Sequence, residues 1–514
     1  MQTVSQSYLD KASSSLRKID WRCQISFDKT YDADVAFFEI GTSEVGGTDF
    51  IRPNDVNVVQ EWDKYSYTDY SDRVIGFEWT TEEDPFSSVS LSYGMLTLDN
   101  HDDFFTQGSG SAIDGSVKPS RPVRLSTGFS GQLVPNFVGI TEDSGRLDEV
   151  DKTITFKLVG FLKTIFDKSL DEEILTENSR TDELLDELLQ SAGLISSQYE
   201  LDTSFNIIKF AVINKRQKLG SVVMKLLEAE MGRLYMDELG VIRFKNRQNY
   251  NDSIVAEFSD NNVFDLTRRP ESDIKNVIEL EGEVRQVQDK QDVGSLFKSV
   301  LVRAGSTAVV WIEFLDPVTT AVVPAEAASA TSSYFRANKA ADATGEAVTA
   351  SITISSSSLF NNSYKLTFSN ANSFDLFITE VKVFGTPAKV VDNILVQAID
   401  QASIDEYDEQ ILKIENNFFQ DEDETESKAA ILLQDYKEFT PVERIEVLAN
   451  PALQIGDAIR LHTAGATREY KITAINGILS KTRLRQILDI KSFTRYTYFT
   501  IGSSQVGGED RLAP

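Results

Sequence analysis

Apolar and polar residues alternate along most of this chain with a period of two, the pattern of half-buried strands. Trp21, Cys23, Ile25 and Phe27 open the series after a polar, weakly amphipathic arm that carries Tyr8, Leu9, Leu16 and Ile19. Between Val74 and Phe166, Val89, Leu91, Tyr93 and Met95 alternate, and Pro122 to Leu125, Phe137 to Ile140 and Thr153 to Leu158 follow between turns rich in Gly, Ser and Asp. Short strands at this spacing predict a closed or sandwiched β domain. The period then changes. Leu184, Leu185, Leu188 and Leu189 fall on one helical face, with Ser179 and Asp182 as a capping box and Gly193 as a stop. A second helical run, Leu219 to Met231, ends before Gly232, and LYMDELGVIRF reads as a hairpin turning at Gly240.

Strand periodicity returns over 272–284, and Val300, Val302, Val310, Ile312, Phe314, Ile352, Ile354, Leu366, Phe368, Phe377, Val381 and Val383 predict an inserted β-sandwich. Trp311, Tyr334, Phe335 and Tyr364 are either its core or a stacking platform for sugars. Beyond it, the acidic run at Asp421, Glu422, Asp423 and Glu424 precedes a helix-like stretch from Ser427 to Lys437. Carboxylates there complement a helix dipole; the alternative is an acidic surface lining a pore. In NPALQIGDAIR, residues 450–460, Pro451 ends the preceding element. Leu453 and Ile455 alternate inward, and Gly456-Asp457 turns the chain into a strand from Ala458 to Thr463.

One motif occurs twice. FEIGTSEVGGTD at 38–49 and FTIGSSQVGGED at 499–510 share Phe38/Phe499, Ile40/Ile501, Val45/Val506, Gly46-Gly47/Gly507-Gly508 and Asp49/Asp510. Copies at opposite ends cannot stack as a solenoid, which needs contiguous repeats. They read either as a recurring strand-turn that packs locally or as two presentations of one partner-binding element, in which the paired glycines permit close backbone approach.

The net charge of −29 and pI of about 4.5 disfavour electrostatic binding of free nucleic acid. A single cysteine, Cys23, leaves no intramolecular disulfide framework, and its alternating pattern makes it a core side chain. The start of the chain lacks the apolar region of a signal peptide, and no run of apolar residues is long enough to span a bilayer. With His101 and His462 the only histidines, a His-based triad or His-rich metal site is disfavoured, and HExxH, GxSxG and Walker patterns do not occur. Asp99, His101 and Asp103 lack the glycine and terminal Glu of a calcium loop. No catalytic, metal or cofactor residue is assigned.

Several stretches, in order, resemble the tail hub proteins of bacteriophages: FEWT, LTLDNHDDFF and RPVRLSTGF in the first β region, GRLYMDELGVIRF, the link SIDEYDEQILKIENNFFQ, and VERIEVLA with NPALQIGD. The resemblance implies a mainly β, multi-domain fold with two barrel-like domains, an α+β insertion and, here, an added β-sandwich. The expected divisions are 1–73 (arm and first motif copy), 74–168 (first barrel), 169–268 (α+β insertion), 269–294 (connecting strands), 295–385 (sandwich), 386–490 (helix and second barrel) and 491–514 (tail with the second copy). It further implies a non-enzymatic virion protein at the tail tip, made and assembled in the host cytoplasm. As a homotrimeric ring it would touch tail tube, distal tail, tape-measure and tip or fibre proteins, while genomic DNA passes through without specific binding. Host glycan at the sandwich remains an open expectation. The alternatives are a carbohydrate-binding adhesin and a tail-associated cell-wall hydrolase.

Overall fold

The computed structural model describes residues 2, 4–14, 18–28, 65–83, 89–171, 173–237, 240–246, 253–269, 274–322, 335–438, 442–463, 466–481 and 483–492. Strand accounts for 52% and helix for 16%, so the expectation of a mainly β, multi-sheet protein holds. Among the described residues, the largest sheet has 14 strands and joins β regions from both ends of the sequence. Val74–Glu83 of the first region pairs antiparallel with Ala466–Ser480 of the last, from Gly76 opposite Ser480 to Glu82 opposite Ala474. One hydrogen-bond ladder therefore crosses between units separated by almost the whole chain.

Each region keeps its own core beneath that sheet. Cys23, Ile25, Phe77, Trp79, Leu96, Leu98, Leu125 and Phe156 form the first. Ile445, Val447, Leu453, Ile459, Leu461, Ile472 and Leu488 form the second. The strand Ser90–Asp99 buries Leu96 and Leu98 and turns Tyr93 and Met95 outward. Its apolar alternation therefore serves both faces.

In the α+β region two details differ from the sequence reading. Its first helix is Thr181–Ser191, and the capping carboxylate is Glu183, which accepts from the Arg180 amide at 2.9 Å. Asp182 instead accepts from Ser204, so the Ser179–Asp182 box is replaced. The second helix, Leu219–Glu230, ends on Met231 in the left-handed conformation (φ +57°). Gly232 is needed for space rather than for the stop, since a Cβ there would lie 2.5 Å from the Phe244 ring. The hairpin forms as read, Arg233–Met236 against Ile242–Lys245, with Gly240 at φ +84°.

A strand of 24 residues, Leu376–Ile399, fastens the sandwich to the body. Its first part pairs with Val300–Val302 and Phe335–Asn338, and its last part with Val277–Val287. Asn361 locks the contact from the other side, donating to the carbonyls of Ile174 and Ile213 at 3.3 and 3.1 Å. The same device recurs where other units meet. The Gln420 amide imitates a strand neighbour for Phe210, accepting its N–H at 2.8 Å and donating to its carbonyl at 2.6 Å. Backbone groups stranded by the ends of secondary structure must find such partners when buried.

The seam between the two end regions is tightest at Gly477, where a Cβ would sit 2.1 Å from Trp79 Cζ2. Replacing Gly477 by Ala should displace that indole from the first core and cost roughly 1–3 kcal/mol. Thermal or chemical unfolding of G477A checks this; an unchanged midpoint would mean that the seam yields freely.

Candidate functional site

The stretch from Ala449 to Asp457 is a chain of turns held in part by short-range bonds. Asn450 Oδ1 accepts from the Ala452 amide at 3.3 Å, Gln454 N–H donates to Asp457 Oδ2 at 2.8 Å, and Asp457 N–H donates back to the Gln454 carbonyl at 3.2 Å. Gly456 takes φ +79° and hands the chain to the strand Ala458–Thr463, where the sequence placed it. The stretch is not a strand; Leu453 and Ile455 both face the last core, as read, while its alanines go elsewhere. Ala449 enters the first core, Leu453 the last, and Ala452 packs with Tyr8, Ala12, Phe129 and Val134 beneath the N-terminal helix Gln6–Ala12.

Side chains from elsewhere bind the stretch by its backbone. Asn136 donates to the Pro451 carbonyl at 2.8 Å and Gln486 accepts from the Asn450 amide at 2.8 Å, while the backbone N–H of Gln2 donates to the Ala452 carbonyl at 2.8 Å. The α+β unit arrives as Arg233, 7% exposed in its side chain, which pairs with Glu83 at 3.3 Å and stacks over Tyr235. Its guanidinium lies directly over Gly456, where a Cβ would fall 1.7 Å from Nη1. Sequence reasoning found the turn but not Arg233, since nothing local to GRLYMDELG marks its arginine as a contact.

The acidic run begins the helix Glu422–Tyr436, five residues ahead of the expected start at Ser427. Asp421 is its N-cap, accepting from Glu424 N, and pairs with Lys209 at 2.9 Å; that lysine holds the Asp421 carboxyl below the usual carboxylate range. Glu424 reaches the buried ammonium of Lys428 at 3.4 Å, whereas Glu422 and Asp423 are exposed.

Around His101 the carboxylates all have partners: Asp102 pairs with Arg73, Asp103 with Lys152, and Asp99 accepts the backbone N–H of His101 at 3.2 Å. Arg73 holds Asp102 down to about 2. Cys23 is fully buried, and desolvation, with the charge of Asp69 second, pushes its thiol up out of the reactive range. The sugar platform does not assemble as four residues. Phe335 and Tyr364 are 2% and 7% exposed in the sandwich core, Trp311 is 52% exposed, and Tyr334 lies outside the described residues. Both copies of the repeated motif, Phe38 to Asp49 and Phe499 to Asp510, also lie outside them.

No family model matches the chain, and no curated protein matches it. Among solved structures it is similar to the 43 kDa tail protein of prophage MuSo2 from Shewanella oneidensis (9% identity, 83% of this chain and 93% of that one, TM-score 0.45). It is also similar to a tail protein from Neisseria meningitidis MC58 (8% identity, 83% and 94% coverage, TM-score 0.46). A third is the prophage tail protein gp18 from Listeria monocytogenes EGD-e (11% identity, 84% and 93% coverage, TM-score 0.39).

The junction and the helix cap each have a measurable consequence. Gly456→Ala should lose roughly 1–2 kcal/mol from the left-handed backbone alone, plus the cost of expelling Arg233. In an Arg233→Ala background the second part disappears, so the double-mutant cycle should show coupling; strict additivity would remove Arg233 from the junction. Asp421→Asn keeps a capping side chain but removes the charge. Because the folded carboxyl sits below its ordinary 3.8, its stabilisation is present above that pH and is lost as pH falls through the folded value. D421N should therefore be less stable at pH 7 and show a shallower acid decline, measured by urea unfolding across pH.

Proposed function

We propose that this chain is a structural protein of a phage tail, the hub ring at the distal end of the tail tube, and that its role is mechanical. The observation that carries the reading is the ladder between Val74–Glu83 and Ala466–Ser480, with Ala449 in the first core and Leu453 of the adjoining NPALQIGD in the last. A ring that adapts the symmetry of a tube to that of a tip needs two similar β units per chain that cannot shear past each other. A continuous sheet with a shared junction supplies that stiffness. The segments resembling hubs include both sides of the contact, since GRLYMDELG contributes Arg233 and NPALQIGD contributes Gly456.

On this reading three chains form the ring, and its partners are tail tube, distal tail, tape-measure and tip or fibre proteins, assembled in the host cytoplasm and carried at the tail tip. Genomic DNA passes the central opening without specific contacts. Each chain carries a formal net charge of −29, and an acidic wall favours sliding over adhesion. Within the acidic run Asp421, Glu422, Asp423 and Glu424, the exposed carboxylates of Glu422 and Asp423 are the ones free to contribute to the wall, while Asp421 and Glu424 also serve the helix. The two VGG motifs, Phe38, Ile40, Val45, Gly46, Gly47 and Asp49 with Phe499, Ile501, Val506, Gly507, Gly508 and Asp510, are assigned to partner docking on the strength of their sequence identity.

Negative-stain imaging with sedimentation of the purified protein tests the ring: the expected particle has three-fold symmetry, a central hole and three times the 57.4 kDa chain mass. A strict monomer, also when mixed with its tail-tube partner, would count against it. Bulky substitutions at Gly46-Gly47 or Gly507-Gly508 should leave unfolding unchanged and block tail assembly; normal assembly in both variants removes the docking role.

A further inference from the structure

The sandwich presents a surface that neither its own core nor a mechanical role accounts for. Thr307–Glu313, Ser363–Ser369 and Thr353–Phe360 form a three-stranded sheet with the order 307–313, 363–369, 353–360. Its inner face supplies Val310, Ile312, Leu366 and Phe368 to the core. Directly opposed residues in an antiparallel ladder share a face, so the register defines the outer one. Trp311 lies opposite Lys365 and Lys365 opposite Ser358, while Val309, Thr367 and Ser356 form the next row and Glu313, Ser363 and Phe360 the last.

We propose that this outer face is a carbohydrate-binding surface on which Trp311 stacks against a pyranose ring. Trp311 is 52% exposed, and Phe360 stands beside it with ring centroids 5.4 Å apart and planes tilted by 35°. The serines and threonine of the neighbouring rows are short, and with Phe360 and Lys365 beside it half of the indole stays exposed. Burial would have placed an aromatic of this size on the inner face, where the same strands put Tyr364 and Phe368. The polar neighbours are of the type that sugar hydroxyls require: Ser356, Ser358, Ser363 and Thr367 can both donate and accept. Among the described residues their hydroxyls have no hydrogen-bond partner, and Glu313 and Lys365 form no ion pair. Lys365 Nζ lies over the Trp311 ring, 5.7 Å from its centroid, placing a strong donor beside the indole. An apolar body with a ring of unpaired donors and acceptors matches the two-sided chemistry of a pyranose, whose C–H face is apolar and whose rim is hydroxylated.

Two other occupants fit less well. A lipid surface would call for more apolar side chains than Val309, Trp311 and Phe360, and the −29 net charge opposes anionic membranes. A protein interface core is depleted of serine and enriched in aromatics and arginine, whereas the strand TISSSSLF presents a run of exposed serines. The surface also differs from the four-aromatic platform read from the sequence: it keeps Trp311, drops Phe335 and Tyr364, and adds Phe360 and Lys365.

The test uses the full-length chain on an array of neutral and acidic hexopyranose oligosaccharides, with hits titrated by following tryptophan fluorescence. The wild type should retain at least one glycan. Trp311→Ala should weaken it about tenfold or more, the equivalent of one aromatic stacking contact, and Lys365→Ala should weaken it as well. Val150→Ser, at a 91% exposed position in the first β unit, should bind as the wild type does. Thermal midpoints should be unchanged in all three variants. Failure of every glycan to bind, or undiminished binding by both W311A and K365A, overturns the proposal. Neither result bears on ring formation, which sedimentation reads separately.

Discussion

The structure depends on a short stretch whose neighbouring residues belong to different cores. Ala449, Ala452 and Leu453 each enter a separate apolar cluster, and Gly456 leaves room for a buried arginine from a fourth unit. No strand or helix could do this, because regular structure sends side chains in only one or two directions. A run of turns changes direction at every residue, but it leaves backbone groups unpaired. The junction therefore requires Asn136, Gln486 and the Gln2 backbone to complete it.

The same solution reappears wherever units meet. Asn361 satisfies carbonyls of the α+β unit, and Gln420 takes the place of a missing strand beside Phe210. Asn416 donates to Lys225 O at 2.7 Å; within the α+β unit, the wholly buried Glu230 carboxylate likewise accepts the amides of Phe205 and Asn206. Side-chain amides and carboxylates thus carry hydrogen bonding across boundaries that strands do not cross. A buried amide left without its partner costs about 1–3 kcal/mol, so each such contact holds its two units in one relative position. Together with the strand Leu376–Ile399, which runs from the sandwich into the body, they make the insertions extensions of one framework. That stiffness is what a ring under mechanical load would demand, and it also gives the Trp311 face a fixed orientation.

The sequence by itself determined the local elements: the helices 181–191 and 219–230, the hairpin at Gly240, the turn at Gly456 and the strand Ala458–Thr463 all lie where periodicity, glycines and prolines placed them. These signals are local because the physics is local: helix and strand differ in side-chain period, and a left-handed turn selects glycine. At Asp182 and Gly232 the reading slipped because another segment intervened, Ser204 in taking Asp182 and Phe244 in excluding a side chain at 232, whereas the early start of the helix Glu422–Tyr436 was set locally by the Asp421 cap. What tertiary structure alone decided was which faces meet. Alternation in Val89, Leu91, Tyr93 and Met95 marks a strand but not its buried side. Nothing in Trp311, Phe335 and Tyr364 distinguishes the exposed aromatic from the two in the core, because that depends on which face of each strand the second sheet covers. The pairing of Trp79 with Gly477 and of Arg233 with Gly456 lies further still from local pattern, since each requires segments hundreds of residues apart to be brought within van der Waals contact.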